Sequence, residues 1–225
     1  MSMAGADRRR RLLVVNPNSN PLVTRLVDAA AQAALPPGYS ATTASPADGP
    51  FSIETPAHRA AAVPGVLGLI ERHLEDGFAG YVLACFDDIA VPETRARVRA
   101  PVTDLAEAGI SAAVAAGGRF TVLTTVTAAV PRIEELARRY GAGGRCTVRA
   151  ADLGVAAVAE RSPSTLARLT EVIETALTAD RAELILLGSG ALAGAAPLLE
   201  PSCAVPVIDA AAAAVRRVAA QIEAM

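Results

Sequence analysis

The chain has little with which to build a cross-linked, metal-bound or membrane-embedded protein. Its three cysteines, Cys85, Cys146 and Cys203, are an odd number without CxxC spacing, which argues against a disulfide framework and against a zinc site. Only two of its 225 residues are histidine. No cluster of His, Cys, Asp and Glu has ligand spacing, so no metal is expected. No stretch reaches the ~18 uninterrupted apolar residues of a membrane helix, and no cleavable signal precedes the first strand-like run. The formal charge is −2, which gives no reason to expect nucleic acid or another polyanion as partner. The one basic cluster, Arg8 to Arg11, is expected to lie in a frayed N-terminus. These absences leave the expectation of a soluble, cytoplasmic, thiol-reduced protein.

What is present is an alternation of short β runs and longer helical stretches, with 52% hydrophobic residues to form a core. "RLLVVN" (11–16), "SATTAS" (40–45), "GYVLAC" (80–85), "APV" (100–102), "FTVLTT" (120–125), "CTVRAA" (146–151), "LILLG" (184–188) and "VPVI" (205–208) read as strands. Amphipathic or alanine-rich segments between them, at 21–33, 57–75, 127–140, 165–178 and 209–223, read as helices. That rhythm means βαβ crossovers and parallel sheet.

The two halves also echo each other. "APVTDLAEA" (100–108) returns as "VPVIDAAAA" (205–213), "LLVVN" as "FTVLTT", and the strand that stops at Cys85 as the strand that stops at Ser189, in the same order and at nearly one spacing. The pattern predicts an α/β fold of two pseudo-symmetric lobes, each a mostly parallel four-stranded sheet flanked by helices. Residues 1–98 with 209–225 are assigned to the first lobe and 99–208 to the second. Ligands of open α/β sheets sit at the carboxyl ends of the strands. Cys85 and Ser189 would then flank one molecule in the cleft between the lobes.

Two acid/base groups on opposite faces of one carbon are what stereoinversion needs, since one removes a proton while the other delivers one. A cysteine suits the task, its unperturbed pKa of ~8.5 being lowered by a helix N-terminus. Candidate substrate-binding residues are the polar groups at strand ends and the following loops, Asn16, Ser52, Thr124 and Thr125, with Phe86, Gly188 and Gly190 beside the two central residues. Amide donors around such a cleft would stabilise an enolate. His58 at a helix start is a lesser candidate for substrate contact. His73 reads as a solvated helix residue, Cys146 as a small buried strand residue, and Cys203 lies well beyond the strand end.

Together, "VNPNSNPLVT" (15–24), "GPFSIET" (49–55), "ACFDD" (84–88), "PVTDLAEA" (101–108), "RFTVLTT" (119–125) and "PVIDAAAAAV" (206–215) carry a resemblance. Over nearly its whole length the chain resembles the hydantoin/allantoin racemase branch of the aspartate/glutamate racemase superfamily. The resemblance implies racemization without a cofactor, at a carbon alpha to a carbonyl, by two cysteines, one from each lobe. It also implies a hydantoin-, ureide- or amino-acid-like substrate and a homo-oligomer. Cys85 falls on the first cysteine. The second belongs in a "GCAGM"-like box that here reads "GSGAL", so its position is Ser189.

A serine hydroxyl is too weakly acidic to serve unaided as the second base. One thiol leaves three accounts open: an active-site variant with serine in place of the second cysteine, an isomerase or decarboxylase with one-sided proton transfer, or a non-catalytic binder. A rival reading from another class rests on Gly188-x-Gly190-x-x-Ala193 after a strand with Asp209 beyond, which imitates a dinucleotide-binding fingerprint.

Overall fold

Strand β1 (Arg10–Val15) ends in four residues, Leu12 to Val15, that are all buried. A strand apolar on both faces belongs in the middle of a sheet covered on both sides. In the computed structural model, which describes residues 9–225, β1 lies between β2 (Tyr39–Ala44) and β3 (Gly80–Leu83), and β4 (Val102–Asp104) pairs with β3. The second half repeats the plan. There β5 (Phe120–Thr124) lies between β6 (Cys146–Ala150) and β7 (Leu184–Leu187), and β8 (Val207–Asp209) pairs with β7. The orders are β2-β1-β3-β4 and β6-β5-β7-β8, and every pairing is parallel. This is the two-lobed α/β architecture that the internal echo predicts.

The helices α1 (Pro21–Ala34), α2 (Pro56–Arg72), α3 (Val91–Arg97) and α4 (Leu105–Ala116) follow the strands of the first sheet. Behind the strands of the second come α5 (Val130–Arg139), α6 (Val155–Glu160), α7 (Pro163–Ala179), α8 (Ala196–Leu199) and α9 (Ala210–Glu223). Successive strand residues point to opposite faces. Leu12 and Val14 therefore join a core that runs on into the second lobe, while Leu13, Val15 and Leu83 pack with Val66 and Ile70 of α2.

The pseudo-symmetry holds at the level of register. Leu83 lies beside Asp104 in the first sheet, and Leu187 lies beside Asp209 in the second. Each aspartate then caps the helix that follows it. Asp104 accepts from Glu107 N at 2.7 Å, and Asp209 from Ala211 N at 2.8 Å. Carboxylates at helix N-caps satisfy amides that have no partner within the helix. The two helices cross over reciprocally: α4 packs on β7 and β8, whereas α9 packs on β3, β4 and α1, and the pair touch each other between the lobes.

Two expectations are corrected here. The boundary set at 98/99 is misplaced, because β4 is hydrogen-bonded into the first sheet and the chain changes lobe only after Asp104. The basic cluster is not all frayed end. Arg8 lies outside the described residues, but Arg10 and Arg11 open β1. Arg10 pairs with Glu223 and Tyr39, while Arg11 lies 4.5 Å from the Phe78 ring centroid.

Candidate active site

Cys85 stands two residues beyond the end of β3, and Ser189 two beyond the end of β7. Equivalent strand ends from the two sheets thus approach one cavity of about 260 Å³, and both residues line it. The lobes meet closely at this point. A Cβ placed on Gly190 would lie 3.0 Å from the carbonyl oxygen of Ala84, so a larger residue here would push the Ser189 turn and the Cys85 strand apart. Gly188 is equally confined, against Val122 and Phe86.

The local structures after the two residues differ. Ser189 caps a short 3₁₀ turn, Gly190–Leu192, accepting from Ala191 N at 3.2 Å, and its hydroxyl proton has no acceptor among the described residues. Cys85 is followed by bends, and α3 opens only at Val91 behind Ala90 in a left-handed conformation. The helix N-terminus expected to lower the Cys85 pKa is therefore missing. Burial, followed by the charges of Asp87 and Asp104, pushes this thiol well above the ordinary cysteine range, against the Phe86 amide and Arg59, which pull it down.

Of the expected substrate-binding residues, Phe86, Thr124, Thr125, Gly188 and Gly190 line the cavity, and Asn16 and Ser52 do not. Asn16 is fully buried, and its amide donates to Thr24 Oγ1 at 2.9 Å and to Asn18 Oδ1 at 3.0 Å. It builds the loop, and Asn18 reaches the cavity in its place. Asn18 Oδ1 is taken by Asn16 and Asn20, which leaves the amide Nδ2 without a partner among the described residues. Thr124 spans the two strand ends toward Gly188 O at 3.4 Å, and the buried Thr125 keeps an unpartnered hydroxyl at the wall. Ser52 sits half-buried in the loop before α2, while its neighbours Ile53, Glu54 and Thr55 line the cavity.

Charged residues were the chief omission. Asp87 accepts from Arg59 Nε of α2 at 2.7 Å and from Arg132 Nε of α5 at 3.1 Å, and all three line the cavity. One carboxylate therefore joins guanidinium groups from both lobes. Burial raises the Asp87 pKa, and the two arginines oppose that rise. Beside it Asp88 accepts from Arg139 and from the Tyr140 hydroxyl, at 2.7 and 2.6 Å, and donates its own N–H to Asp104 at 2.7 Å. Glu54 Oε1 crosses to the second lobe and accepts from Val155 N at 2.7 Å. The motif "CFDD" points to Asp87, and "GPFSIET" contains Glu54; Arg59 and Arg132 carry no signal in the sequence.

The remaining candidates fall away from the cleft. His58 is exposed at the start of α2, and His73 pairs with Asp76 at 2.6 Å. Cys146, whose burial raises its pKa to about 12, and Cys203 both pack against the core. The dinucleotide fingerprint also fails in context. Its glycines lead into a three-residue turn rather than a phosphate-binding helix, and the Asp209 carboxylate is occupied by Gly194, Ala211 and Ala212 amides. Among the described residues no helix is long and apolar enough to cross a membrane.

This geometry has counterparts. A hydantoin racemase of Rhizobium meliloti is 36% identical over 204 residues, covering 90% of this chain and 85% of that relative. The structure of an allantoin racemase from Klebsiella pneumoniae superposes with a TM-score of 0.90 at 33% identity, covering 95% of this chain and 88% of that one. At 16% identity and a TM-score of 0.70, glutamate racemase from Francisella tularensis shares the fold, covering 97% of this chain and 82% of its own. The family model for Asp/Glu/hydantoin racemase matches residues 12–218. With two equivalent strand ends facing one cavity and this match spanning both lobes, the chain belongs to the Asp/Glu/hydantoin racemase family, as an isomerase.

Proposed function

We propose that the chain racemizes a 5-substituted hydantoin or a related ureide by moving a proton at the carbon alpha to the ring carbonyl. The observation that carries the reading is the convergence of Cys85 and Ser189, from equivalent strand ends, on one cavity. Cys85 exchanges the proton on one face. The Asn18 amide, the Thr125 hydroxyl and the Ser189 hydroxyl offer donors to the carbonyl oxygens and to the enolate formed after proton loss. Ile53, Phe86, Val126, Ile133 and Val155 give the 5-substituent an apolar wall. The chain contains no lysine, so it has no residue to hold pyridoxal as a Schiff base, which suits cofactor-free chemistry.

The test is polarimetry on optically pure 5-isopropylhydantoin and allantoin. Rotation should decay with the unaltered chain and persist with Cys85→Ala; decay at equal rates would remove Cys85 from the reaction. Homo-oligomeric assembly in the cytoplasm is part of the same proposal, by likeness to the family. Light scattering is expected to give a particle larger than the 22.9 kDa of one chain, and a particle of that mass would count against it.

A further inference from the structure

A two-sided proton transfer needs a partner for Cys85, and among the described residues no base is hydrogen-bonded to the Ser189 hydroxyl. Its one hydrogen bond is accepted from Ala191 N, the amide of its own turn. We propose that Glu54 is the acid/base group of the face opposite Cys85, standing in for the thiol that position 189 lacks. The inference rests on the racemase reading of the cavity.

Four observations carry it. Glu54 lines the same cavity as Cys85 and Ser189. Although it belongs to the loop between β2 and α2 of the first lobe, its carboxylate is fixed to the second. Its Oε1 accepts from Val155 N at 2.7 Å, and a Cβ on Gly154 would come within 3.3 Å of that oxygen. The helix that starts at Val155, α6, packs against the turn Gly190–Leu192 that Ser189 caps. The carboxylate is thereby tied to the second lobe, the lobe that carries Ser189. Finally, Oε2 has no hydrogen-bond partner, and Glu54 has no ion pair among the described residues. A lining carboxylate with one oxygen anchored and the other free is held in position for proton transfer, which is the geometric condition on a general base. Carboxylates abstract protons alpha to carbonyls in other enzymes, as the glutamate base of triosephosphate isomerase does.

The step balances without a co-reactant. In one direction the Cys85 thiolate takes the α-proton, and the electron pair of the broken C–H bond moves onto the flanking carbonyl as an enolate. The Glu54 carboxyl then protonates the opposite face, leaving a thiol and a carboxylate. The reverse direction starts from that pair, with the Glu54 carboxylate taking the proton and the Cys85 thiol giving one.

The experiment uses the full chain with each enantiomer of 5-isopropylhydantoin in deuterium oxide, followed by NMR and polarimetry together. Glu54→Gln keeps an acceptor for Val155 N but cannot carry the proton. Racemization should fall ~10²–10⁴-fold, the usual contribution of a general acid/base group. The enantiomer whose hydrogen faces Cys85 should still exchange that hydrogen for deuterium with retention. Cys85→Ala should lose racemization too and leave exchange of the other enantiomer. Ser189→Cys placed in the Glu54→Gln chain should restore racemization. Undiminished racemization by Glu54→Gln would overturn the proposal, as would equal loss of exchange in both enantiomers, the mark of a residue that only binds or positions. If the unaltered chain neither racemizes nor exchanges the compound, the racemase reading itself fails and the inference falls with it, a result visible before any variant is made.

Discussion

A cysteine in an acid/base role must give up its proton near the working pH, and the surroundings of Cys85 oppose that. Burial is the largest influence and Asp87 the next; both hold the thiol protonated above the ordinary range. Because alkylation needs the thiolate, iodoacetamide should label Cys85 more slowly at pH 7 than it labels the unfolded chain, and the rate should keep climbing above pH ~8.5, where that of the unfolded thiol levels off. The stability linkage has the same sign. A thiol whose folded pKa is raised favours the fold below the unfolded value and loses that contribution as pH rises toward the folded value. Peptide mapping that finds Cys85 labelled at pH 7 as fast as in urea would contradict the assignment. The position of Cys85 is legible in the sequence, since an apolar run that stops at a polar doublet marks a strand end. Its electrostatics are not, because the sequence does not show that α3 starts late. Asn16 and Asn18 teach a related lesson. Both sit in "NPNSN", and only the turn geometry decides which of the two points into the fold and which into the cavity.

At the scale of elements, the central strands β1, β3, β5 and β7 are legible because a run buried on both faces has no polar alternation to blur it. The edge strands β2 and β6 are more exposed and are recognised chiefly by their place in the alternation. The short helices α3 and α6 escape because six or seven residues carry too little periodicity to register. The error at β4 has a specific cause. "APVTD" and "VPVID" are true counterparts, ending in the equivalent caps Asp104 and Asp209. Their likeness marks a repeat without saying to which side of the repeat boundary the strand belongs. The same repeat explains why the second acid/base group is hard to find from sequence alone. Symmetry points to position 189, where serine stands, whereas Glu54 comes from the first half and crosses to the second lobe.

Over the whole molecule, the lobes are joined at their backs by the reciprocal crossing of α4 and α9, and at the cleft by side chains. Asp87 is the central tie there, holding Arg59 of the first lobe and Arg132 of the second. Its two ion pairs are partly solvated, with side-chain exposures of 33% and 24% for the arginines, and such pairs contribute ~0.2–1 kcal/mol each. Burial outweighs them in setting the Asp87 pKa, which lies above the ordinary range. The ionised carboxylate therefore adds little net stability, and Asp87→Asn should shift Tm by less than ~3 °C. Its effect on the chemistry should be larger. Asp87 is the second influence raising the Cys85 thiol, and Arg59 is one that lowers it. Removing the negative charge while keeping the arginine must move the thiol downward, so the alkylation profile of Cys85 should shift to lower pH while the fold stays intact. The shift should shrink in 1 M salt, where the screening length falls to ~3 Å, in proportion to how open the cavity is to ions. An unchanged profile in a folded Asp87→Asn chain would mean that the acid doublet after Cys85 ties the lobes together without tuning the thiol.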